Sequence, residues 1–254
     1  MILAVTREVS RAIVNCELTH LQRTPIDVER ARRQHASYES ALKSLGLAVL
    51  SLPENPSLAD SVFVEDTALI TDEFAVILRP GAESRQPETG EIEPVLASYR
   101  KLFHIEAPAR VDGGDILRLG KQVYMGRTSR SDTNAAEQLQ EILHPFGYTL
   151  HVVPVTGCLH LKSAVTQVKD DTLLINPAWV DPGRFGSVKF ITVDASEPYA
   201  ANALRIDDSV IYPTSFPKTQ QRLESAGIHL VLVEADELAK AEGAVTCCSL
   251  ILRT

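Results

Sequence analysis

The sequence predicts an α/β fold in which five similar repeats close into a ring, in the manner of a five-bladed α/β propeller. Three observations predict it. Strand-hairpin patterns recur five times along the 254 residues. A helical stretch and a further apolar run lie between successive hairpins, and one strand is left without a partner at each end of the chain. We therefore expect residues 1–254 to form one domain built from ββαβ repeats.

Each predicted hairpin consists of two β-rich runs on either side of a polar or glycine-containing turn. Their spacing of roughly 40 to 50 residues is typical of propeller-like arrays. In the fifth hairpin only the first strand is predicted. The five positions are residues 66–78, 115–125, 163–175, 203–212 and 248–252.

Apolar residues at helical spacing predict the helices between the hairpins. The clearest pattern covers residues 27–45, where Ala31 and Leu42 share an apolar face opposite charged side chains. A short apolar run follows each helix, so the unit of helix, strand, loop and hairpin is repeated five times. A second helix pattern covers residues 131–146, and weaker ones cover residues 92–100 and 218–226. The apolar runs are residues 47–50, 103–105, 150–153, 190–193 and 230–233.

The strands at the two ends of the chain complete the predicted ring. Residues 2–6 form a strand outside the repeats, and the last strand has no hairpin partner. Pairing these two strands would close the ring and remove exposed sheet edges. A Rossmann-like sheet is the alternative, because strands alternate with helices there too. It predicts no paired short strands between helices, so the closed ring is preferred.

Composition and charge narrow the class of protein. The chain is 44% hydrophobic and 23% charged, which is ordinary for a soluble globular protein. Its net charge of -8 argues against nucleic acid as the main partner. No apolar run approaches the roughly 20 residues of a membrane helix. The first residues have the pattern of a strand, not of a signal peptide.

The cysteines and histidines indicate neither disulfides nor a metal. Four cysteines in a chain of this length do not make a disulfide framework. No CxxC or HxxxH spacing offers a zinc site. We therefore expect no metal, no cofactor and a reduced, cytoplasmic setting.

Reactive side chains stand at the start of each predicted hairpin. Equivalent positions in a closed ring should project toward one axis, so these side chains would meet in one central cleft. A plausible nucleophile and a plausible base among them indicate a catalytic site. The residues are Asp66, the pair Asp112 and Asp115, His160, Asn202 and Cys247.

These residue types suit nucleophilic catalysis. We expect the Cys247 thiol to be activated beside a protonated His160, because an ion pair lowers the pKa of a thiol. His160 can then pass a proton to a leaving group and remove one from water. A carboxylate such as Asp112 would hold the other ring nitrogen and fix the tautomer.

Charged residues in the loops indicate an arginine-like substrate. Asp66 would make the site suitable for a planar cation such as a guanidinium. Arg85 and Arg130, both at loop positions, could bind a carboxylate bidentately. Arg127 is equally possible as the second arginine, and Arg85 could simply be a solvated loop charge.

Two further alternatives concern the reactive pair. His160 lies in a strand-like alternation, Cys158-Leu159-His160-Leu161-Lys162, that could belong to a surface strand. Of Cys247 and Cys248, one should face the core and the other the cleft, because strand residues alternate. Cys16 and Cys158 are expected to be structural.

At these residues the sequence resembles the dimethylarginine dimethylaminohydrolase family, a member of the guanidino-group-modifying (pentein) superfamily. Several motifs occur in the family's order, which is far more specific than any one of them. The resemblance extends from about residue 18 to the last strand. The motifs lie in residues 60–66, 79–85, 112–115, 159–162, 199–202 and 245–249.

The resemblance implies a five-bladed α/β propeller that converts Nω-methylated arginines to citrulline and a methylamine without a cofactor. A covalent thiouronium on the cysteine would be the intermediate. It also implies the roles of individual residues. Cys247 would be the nucleophile, His160 the proton donor and Asp112 its orienting carboxylate; Asp66, with Glu65 beside it, would hold the guanidinium; Arg85 and Arg130 would bind the α-carboxylate; and Leu18, Asp60 and the Ala241 carbonyl would contact the amino-acid end.

Other functions within the same fold remain alternatives. Arginine deiminase, or a related guanidino or ureido hydrolase such as a citrulline hydrolase, would share Cys247 and His160. A noncatalytic ring that binds the ribosome is an alternative of another class, and it would need no such pair. The expected partner is a small-molecule substrate, with no nucleic acid and no membrane, and the chain is expected to be a monomer or a homodimer.

Overall fold

The fold is built around short strands grouped in threes. The computed structural model describes residues 2–253, which contain fifteen strands in five three-stranded sheets. The strands are β1 Ile2–Arg7, β2 Ala48–Leu52, β3 Ala68–Ile70, β4 Phe74–Ile77, β5 Lys101–His104, β6 Ile116–Leu119, β7 Gln122–Arg127, β8 Thr149–Pro154, β9 Val165–Lys169, β10 Thr172–Ile175, β11 Lys189–Thr192, β12 Leu204–Ile206, β13 Ser209–Pro213, β14 His229–Val233 and β15 Leu250–Arg253.

Four of the sheets repeat one topology. A hairpin pairs antiparallel, and its second strand then pairs in parallel with the next strand along the chain, as in the order β6-β7-β8. Met125 of β7, for example, pairs with Ile116 on one side and Val152 on the other. The middle strands are the most apolar, and all four residues of β4 are buried. A strand that is buried on both faces is expected to show such a continuous apolar run.

The fifth sheet joins the two ends of the chain. Its order is β15-β1-β2, with β1 antiparallel to β15 and parallel to β2. Ala4 at the middle of β1 pairs with Ile251 and with Val49. The predicted closure is therefore confirmed, and β1 has no exposed edge.

The four longer helices pack against the strands. At the start of helix α1 (Val28–Ser44) the Asp27 side chain accepts a hydrogen bond from the Arg30 N–H at 2.9 Å, which caps the first turn. The helix ends before Gly46, whose φ of +86° suits glycine. Within residues 2–253, no helix combines the length and apolar character that crossing a bilayer requires. The helices are α1 Val28–Ser44, α2 Thr89–Ala97, α3 Thr133–Leu143, α4 Leu161–Ala164, α5 Pro217–Ser225 and α6 Asp236–Ala239.

One repeat departs from the predicted unit. Between β10 and β11 the described chain has only the short 3-10 turn Pro182–Arg184, so the expectation of a helix in all five repeats is wrong. Two prolines and two glycines between residues 177 and 186 explain the difference, because both residue types disfavour helix. In place of a helix, this segment contributes Phe185, which is 1% exposed and lies in one apolar cluster with Leu173.

Candidate active site

The predicted hairpin starts are tight turns that meet at the ring axis. Two of them, residues 64–67 and 113–115, approach so closely that only glycine fits between them. A Cβ on Gly113 would lie 1.9 Å from the Glu65 carbonyl oxygen, and one on Gly114 would lie 2.5 Å from Nδ1 of His160. The two glycines therefore allow residues of different repeats to share one site.

His160 and Asp112 form a buried pair at this axis. Nε2 of His160 lies 2.9 Å from Oδ2 of Asp112, and Oδ1 of the same carboxylate accepts a hydrogen bond from the Gly81 N–H at 2.7 Å. His160 is 4% exposed and immediately precedes α4, so the alternative of a surface strand is wrong. The carboxylate is placed where it can fix the ring's orientation, as predicted for this pair.

The pKa of His160 is raised although the residue is buried. Burial by itself would lower it, but the carboxylates of Asp66 and Asp112 outweigh burial and raise the pKa to about 9. At neutral pH the ring is therefore an imidazolium. It carries the proton that a leaving amine would need.

Cys247 lines the same narrow cavity as His160 and is 7% exposed. Burial, with the carboxylates of Glu65 and Asp66, raises the pKa of its thiol. The expectation that the neighbouring imidazolium lowers this pKa is wrong, because desolvation and two carboxylates disfavour the thiolate. Cys247 is a neutral thiol here.

The two adjacent cysteines face different sides of the chain. Cys247 faces the cavity, whereas Cys248 faces a second pocket beside Tyr38 of α1. Both residues lie in a turn, residues 245–248, and not in the strand. The division between core and cleft agrees with the prediction, but strand alternation is not its cause.

Arg85 is buried and its guanidinium is already occupied. It donates to Asp66 Oδ2 at 2.6 Å and to the two Glu88 oxygens at 3.1 and 2.9 Å. The alternative of a solvated loop charge is wrong, since the residue is 4% exposed. Burial would raise the pKa of Asp66, but His160 and Arg85 lower it to about 2, so Asp66 is anionic. Arg85 thus holds Asp66 in place at the cavity.

Arg130 has the free guanidinium nitrogen that Arg85 lacks. It lines the cavity, is 8% exposed, and donates through Nη2 to the Thr19 hydroxyl at 3.2 Å. Its Nη1 has no hydrogen-bond partner and lies 3.7 Å from Oδ2 of Asp112. Arg127, by contrast, is exposed at the end of β7. The geometry therefore favours Arg130 of these two.

Asp115 ties the Arg130 loop to the His160 turn, a role that the sequence did not suggest. Its Oδ2 accepts from the hydroxyls of Thr128 at 2.6 Å and Ser131 at 2.5 Å, and its Oδ1 from the Leu161 N–H at 2.9 Å. Burial raises the pKa of Asp115 to about 6, against the lowering effect of His160 and these hydroxyls. Asp115 thus fixes the Arg130 loop and the His160 turn relative to each other.

The remaining predicted residues divide between two sides of the ring. Asp60 and Ala241 line the cavity with Cys247. Glu65 instead contacts Lys162 Nζ at 2.6 Å and the Thr246 hydroxyl at 2.8 Å, in a pocket on the other side. The Asn202 amide donates a hydrogen bond to the same Thr246 hydroxyl at 2.9 Å. Leu18 does not line the cavity.

Carboxylates and the imidazole lie close enough together to raise the question of a metal. Donor atoms of Asp66, Asp112 and His160 lie within 4.8 Å of one another. His160 carries a proton at neutral pH, and only the neutral ring binds a metal. The absence of a metal cofactor stays a prediction.

A closed ring of five repeats with a cysteine and a histidine at its axis is the pentein architecture, the class that modifies guanidino groups. Solved structures support this assignment. One of dimethylarginine dimethylaminohydrolase from Pseudomonas aeruginosa, a cysteine-to-serine mutant complexed with citrulline, matches with a TM-score of 0.94 and 33% identity over 98% of both chains. The N-terminal domain of ArgZ, an arginine dihydrolase from cyanobacteria, matches with a TM-score of 0.89 over 99% of this chain and 97% of its own, but at 19% identity. That second likeness shows the fold alone.

Curated sequences define the family more narrowly. Dimethylarginine dimethylaminohydrolase of Pseudomonas aeruginosa is 34% identical over 97% of this chain and 97% of its own length. The enzyme of the same name from Streptomyces coelicolor is 35% identical over 98% of this chain and 96% of its own. No protein-family model matches the sequence. The chain belongs to the dimethylarginine dimethylaminohydrolase family.

Proposed function

We propose that this protein hydrolyses Nω-methylated arginine to citrulline and a methylamine. The observation that carries the proposal is that Cys247, His160 and Asp66, from three different repeats, line one buried cavity. The activity named for relatives at 34% and 35% identity supports the same reaction. A cysteine, an imidazolium and a carboxylate in one cavity suit the binding of a guanidinium and attack on its carbon once the thiol has lost its proton.

The cavity offers a group for each end of such a substrate. The anionic Asp66 would hold the guanidinium beside Cys247. The free Nη1 of Arg130 would bind the α-carboxylate, because a charge-assisted hydrogen bond satisfies this buried nitrogen. Asp60 and the Ala241 carbonyl would accept hydrogen bonds from the α-ammonium group. In this arrangement Arg85 acts through Asp66, and Glu65 supports the opposite side of the ring.

The substrate's own charge would start the reaction. A guanidinium beside Cys247 opposes the effect of the carboxylates and lowers the pKa of the thiol, which then loses its proton to solvent. The thiolate attacks the guanidinium carbon and forms a carbon–sulfur bond. His160 donates its proton to the methylated nitrogen as the carbon–nitrogen bond breaks, leaving an amine and a covalent thiouronium.

Water then completes the hydrolysis. His160, neutral after the first step, removes a proton from a water molecule that attacks the thiouronium carbon. The carbon–sulfur bond breaks, citrulline forms, and the imidazolium is restored. Asp112 would stabilise the charged ring in both halves of the reaction, since its carboxylate contacts Nε2 of His160.

A substrate panel tests the proposal. Arginine, monomethylarginine, dimethylarginine, agmatine and citrulline are compared by kcat/KM, and the methylated arginines are expected to be the best substrates. Cys247→Ser is expected to abolish citrulline formation while circular dichroism remains that of the folded protein. A preference for arginine would favour a deiminase, and turnover of citrulline would favour a ureido hydrolase. Unchanged activity in Cys247→Ser would exclude the mechanism.

The state of the cysteines bears on the cellular compartment of the protein. All four cysteines are free thiols in the structure. This agrees with a reducing, cytoplasmic compartment, which we propose for the protein. A monomer or homodimer stays a prediction.

A further inference from the structure

Four residues of the proposed active site each have a close neighbour in the chain that lines the pocket on the other side of the ring. The active-site residues are Asp66, Asp112, His160 and Cys247. Their neighbours on the other side are Glu65, Gly113, Lys162 and Thr246. The position of each active-site residue therefore depends on what holds its neighbour.

These neighbours form one hydrogen-bonded network. Lys162 Nζ donates to Glu65 Oε1 at 2.6 Å and to the Gly113 carbonyl at 3.1 Å. The other Glu65 oxygen accepts from the Thr246 hydroxyl at 2.8 Å. The Asn202 amide adds the remaining repeat, because it donates to the Thr246 hydroxyl at 2.9 Å and to the Lys162 carbonyl at 3.2 Å. The network thus takes one residue from each of the five repeats.

Thr246 is held at two points in this network. Its hydroxyl donates to Glu65 and accepts from the Asn202 amide, and its N–H donates to Asn202 Oδ1 at 3.1 Å. The residue is 4% exposed. A side chain without a hydroxyl would leave a buried carboxylate oxygen and an amide N–H without this partner, which is unfavourable.

The turn that carries Cys247 is held through the same partners. Residues 245–248 form neither helix nor strand. The Cys247 carbonyl accepts from the Glu65 N–H at 3.1 Å. Glu65 therefore holds Cys247 through its backbone and Thr246 through its side chain. Because Asp66 directly follows Glu65, these two bonds set the place of the thiol relative to the carboxylate of Asp66.

We infer that Thr246 is a positioning residue for the reaction, whose hydroxyl, held between Glu65 and Asn202, fixes the Cys247 thiol relative to Asp66. The inference rests on the proposed function in taking Cys247 as the nucleophile and Asp66 as the group that holds the guanidinium. A misplacement of about 1 Å between reacting groups can cost about 100-fold in rate. Thr246 does not line the active-site cavity, so substrate binding should depend on it little.

Substitutions at two threonines separate this role from a general contribution to folding. Thr246→Val keeps the branched shape and removes the hydroxyl, whereas Thr246→Ser keeps the hydroxyl and should restore the wild-type behaviour. Thr71→Val is the matched control. The Thr71 side chain is also buried, and its hydroxyl donates to the Phe74 carbonyl at 2.8 Å and accepts from the Phe74 N–H at 3.0 Å, but it lies outside the active-site cavity lining. Thr246→Ala also removes the hydroxyl without adding bulk, and it gives the same test if valine prevents folding.

The first measurement is kcat and KM for dimethylarginine. In Thr246→Val we expect kcat to fall by about 10- to 100-fold with KM within about twofold of wild type, because the lost contact positions the reacting groups and does not touch substrate. Thr246→Ser should recover kcat to within about threefold. Thr71→Val should lower the melting temperature but leave kcat unchanged. An unchanged kcat in Thr246→Val would overturn the inference, and so would an equal loss of kcat in Thr71→Val.

The second measurement needs no substrate and follows the rate at which iodoacetamide labels Cys247, read by mass spectrometry. Burial raises the pKa of Glu65, and the hydrogen bond from Thr246 opposes that rise. The charge of Glu65 adds to burial in raising the pKa of the Cys247 thiol, so a Glu65 that is neutralised more readily makes the thiol easier to deprotonate. Labelling of Cys247 should therefore be about threefold faster or more in Thr246→Val, and like the wild type in Thr246→Ser and Thr71→Val.

Buried Cys158, outside the active-site cavity lining, is the internal reference for labelling. Unchanged labelling of Cys247 in Thr246→Val would contradict the role of Thr246, and an equal rise at Cys158 would indicate general loosening and contradict it too. A wild type that converts no methylated arginine would count against the proposed function. The labelling of Cys247 would still decide whether Thr246 positions the thiol.

Discussion

Replacing Asp112 by asparagine removes the charge that holds His160 protonated while keeping the size of the side chain. Asp112 is fully buried, with Oδ2 at 2.9 Å from Nε2 of His160. The asparagine oxygen can still accept the Gly81 N–H, which Oδ1 accepts now at 2.7 Å. The turn that carries the side chain should therefore remain folded. The change acts on one property, the stability of the imidazolium.

The magnitude follows from the charges around the ring. Against burial, Asp66 and Asp112 raise the pKa of His160 from 6.5 to about 9. Removing an opposite charge in direct contact lowers such a pKa by about 1 to 3, and a change of 1 in pKa corresponds to about 1.4 kcal/mol. The pKa of His160 in Asp112→Asn is thus expected between about 6 and 8. At pH 8.5 most of the variant would lack the proton that the leaving amine needs.

The assay is kcat/KM for dimethylarginine as a function of pH, which reports groups of the free enzyme. In the wild type the high-pH limb should fall near pH 9, where His160 loses its proton. In Asp112→Asn the same limb should move down by about 1 to 3 pH units. Asp132→Asn is the control, because Asp132 caps α3 through the Ala135 N–H and should affect stability but not this limb. A uniform loss of activity at every pH, with the limb in place, would refute the reasoning.

Two other predictions use the same cluster. Arg130→Ala should raise KM for dimethylarginine by about 30- to 150-fold, because a charged hydrogen bond worth about 2 to 3 kcal/mol is lost. The KM for agmatine, which has no carboxylate, should not change. The exposed Arg127→Ala is the control, and an equal rise in KM for agmatine would contradict the assignment. His160 has a folded pKa above its unfolded value of 6.5, so its contribution to stability is complete below pH 6.5 and is lost as pH rises through about 9. Urea titrations of the wild type and of His160→Gln give the difference in their unfolding free energies. This difference should shrink by a few kcal/mol between these pH values, at about 1.4 kcal/mol for each pH unit. A difference that does not change with pH would contradict the prediction.

Much of the fold could be predicted from local patterns. Hairpins, helices and apolar runs follow from side-chain periodicity, and the closure of β1 on β15 follows from two strands left without partners. The missing helix before β11 is also predictable, since Pro177 and Pro182 interrupt that segment. A repeat unit inferred from four helices does not extend to the fifth when the local signal opposes it.

The site was predictable in position but less so in contacts. Equivalent turns placed His160, Cys247 and Asp66 together because the repeat fixes where each hairpin starts. Glu65 and Asp66 are neighbours in a tight turn, and the sequence does not tell that they face opposite sides of the ring. Their orientation depends on partners in other repeats, such as Lys162 for the first of them.

Charge is what distinguishes a guanidino from a ureido substrate in this cavity. Burial and carboxylates keep Cys247 a neutral thiol, and a cation beside it reverses part of that effect. A guanidinium therefore creates its own nucleophile, whereas a neutral urea group does not. The product citrulline is such a urea, so the thiol regains its proton once the reaction is complete and does not attack the product again. The raised pKa that keeps the thiol neutral in the absence of a cation thus argues against citrulline as the substrate.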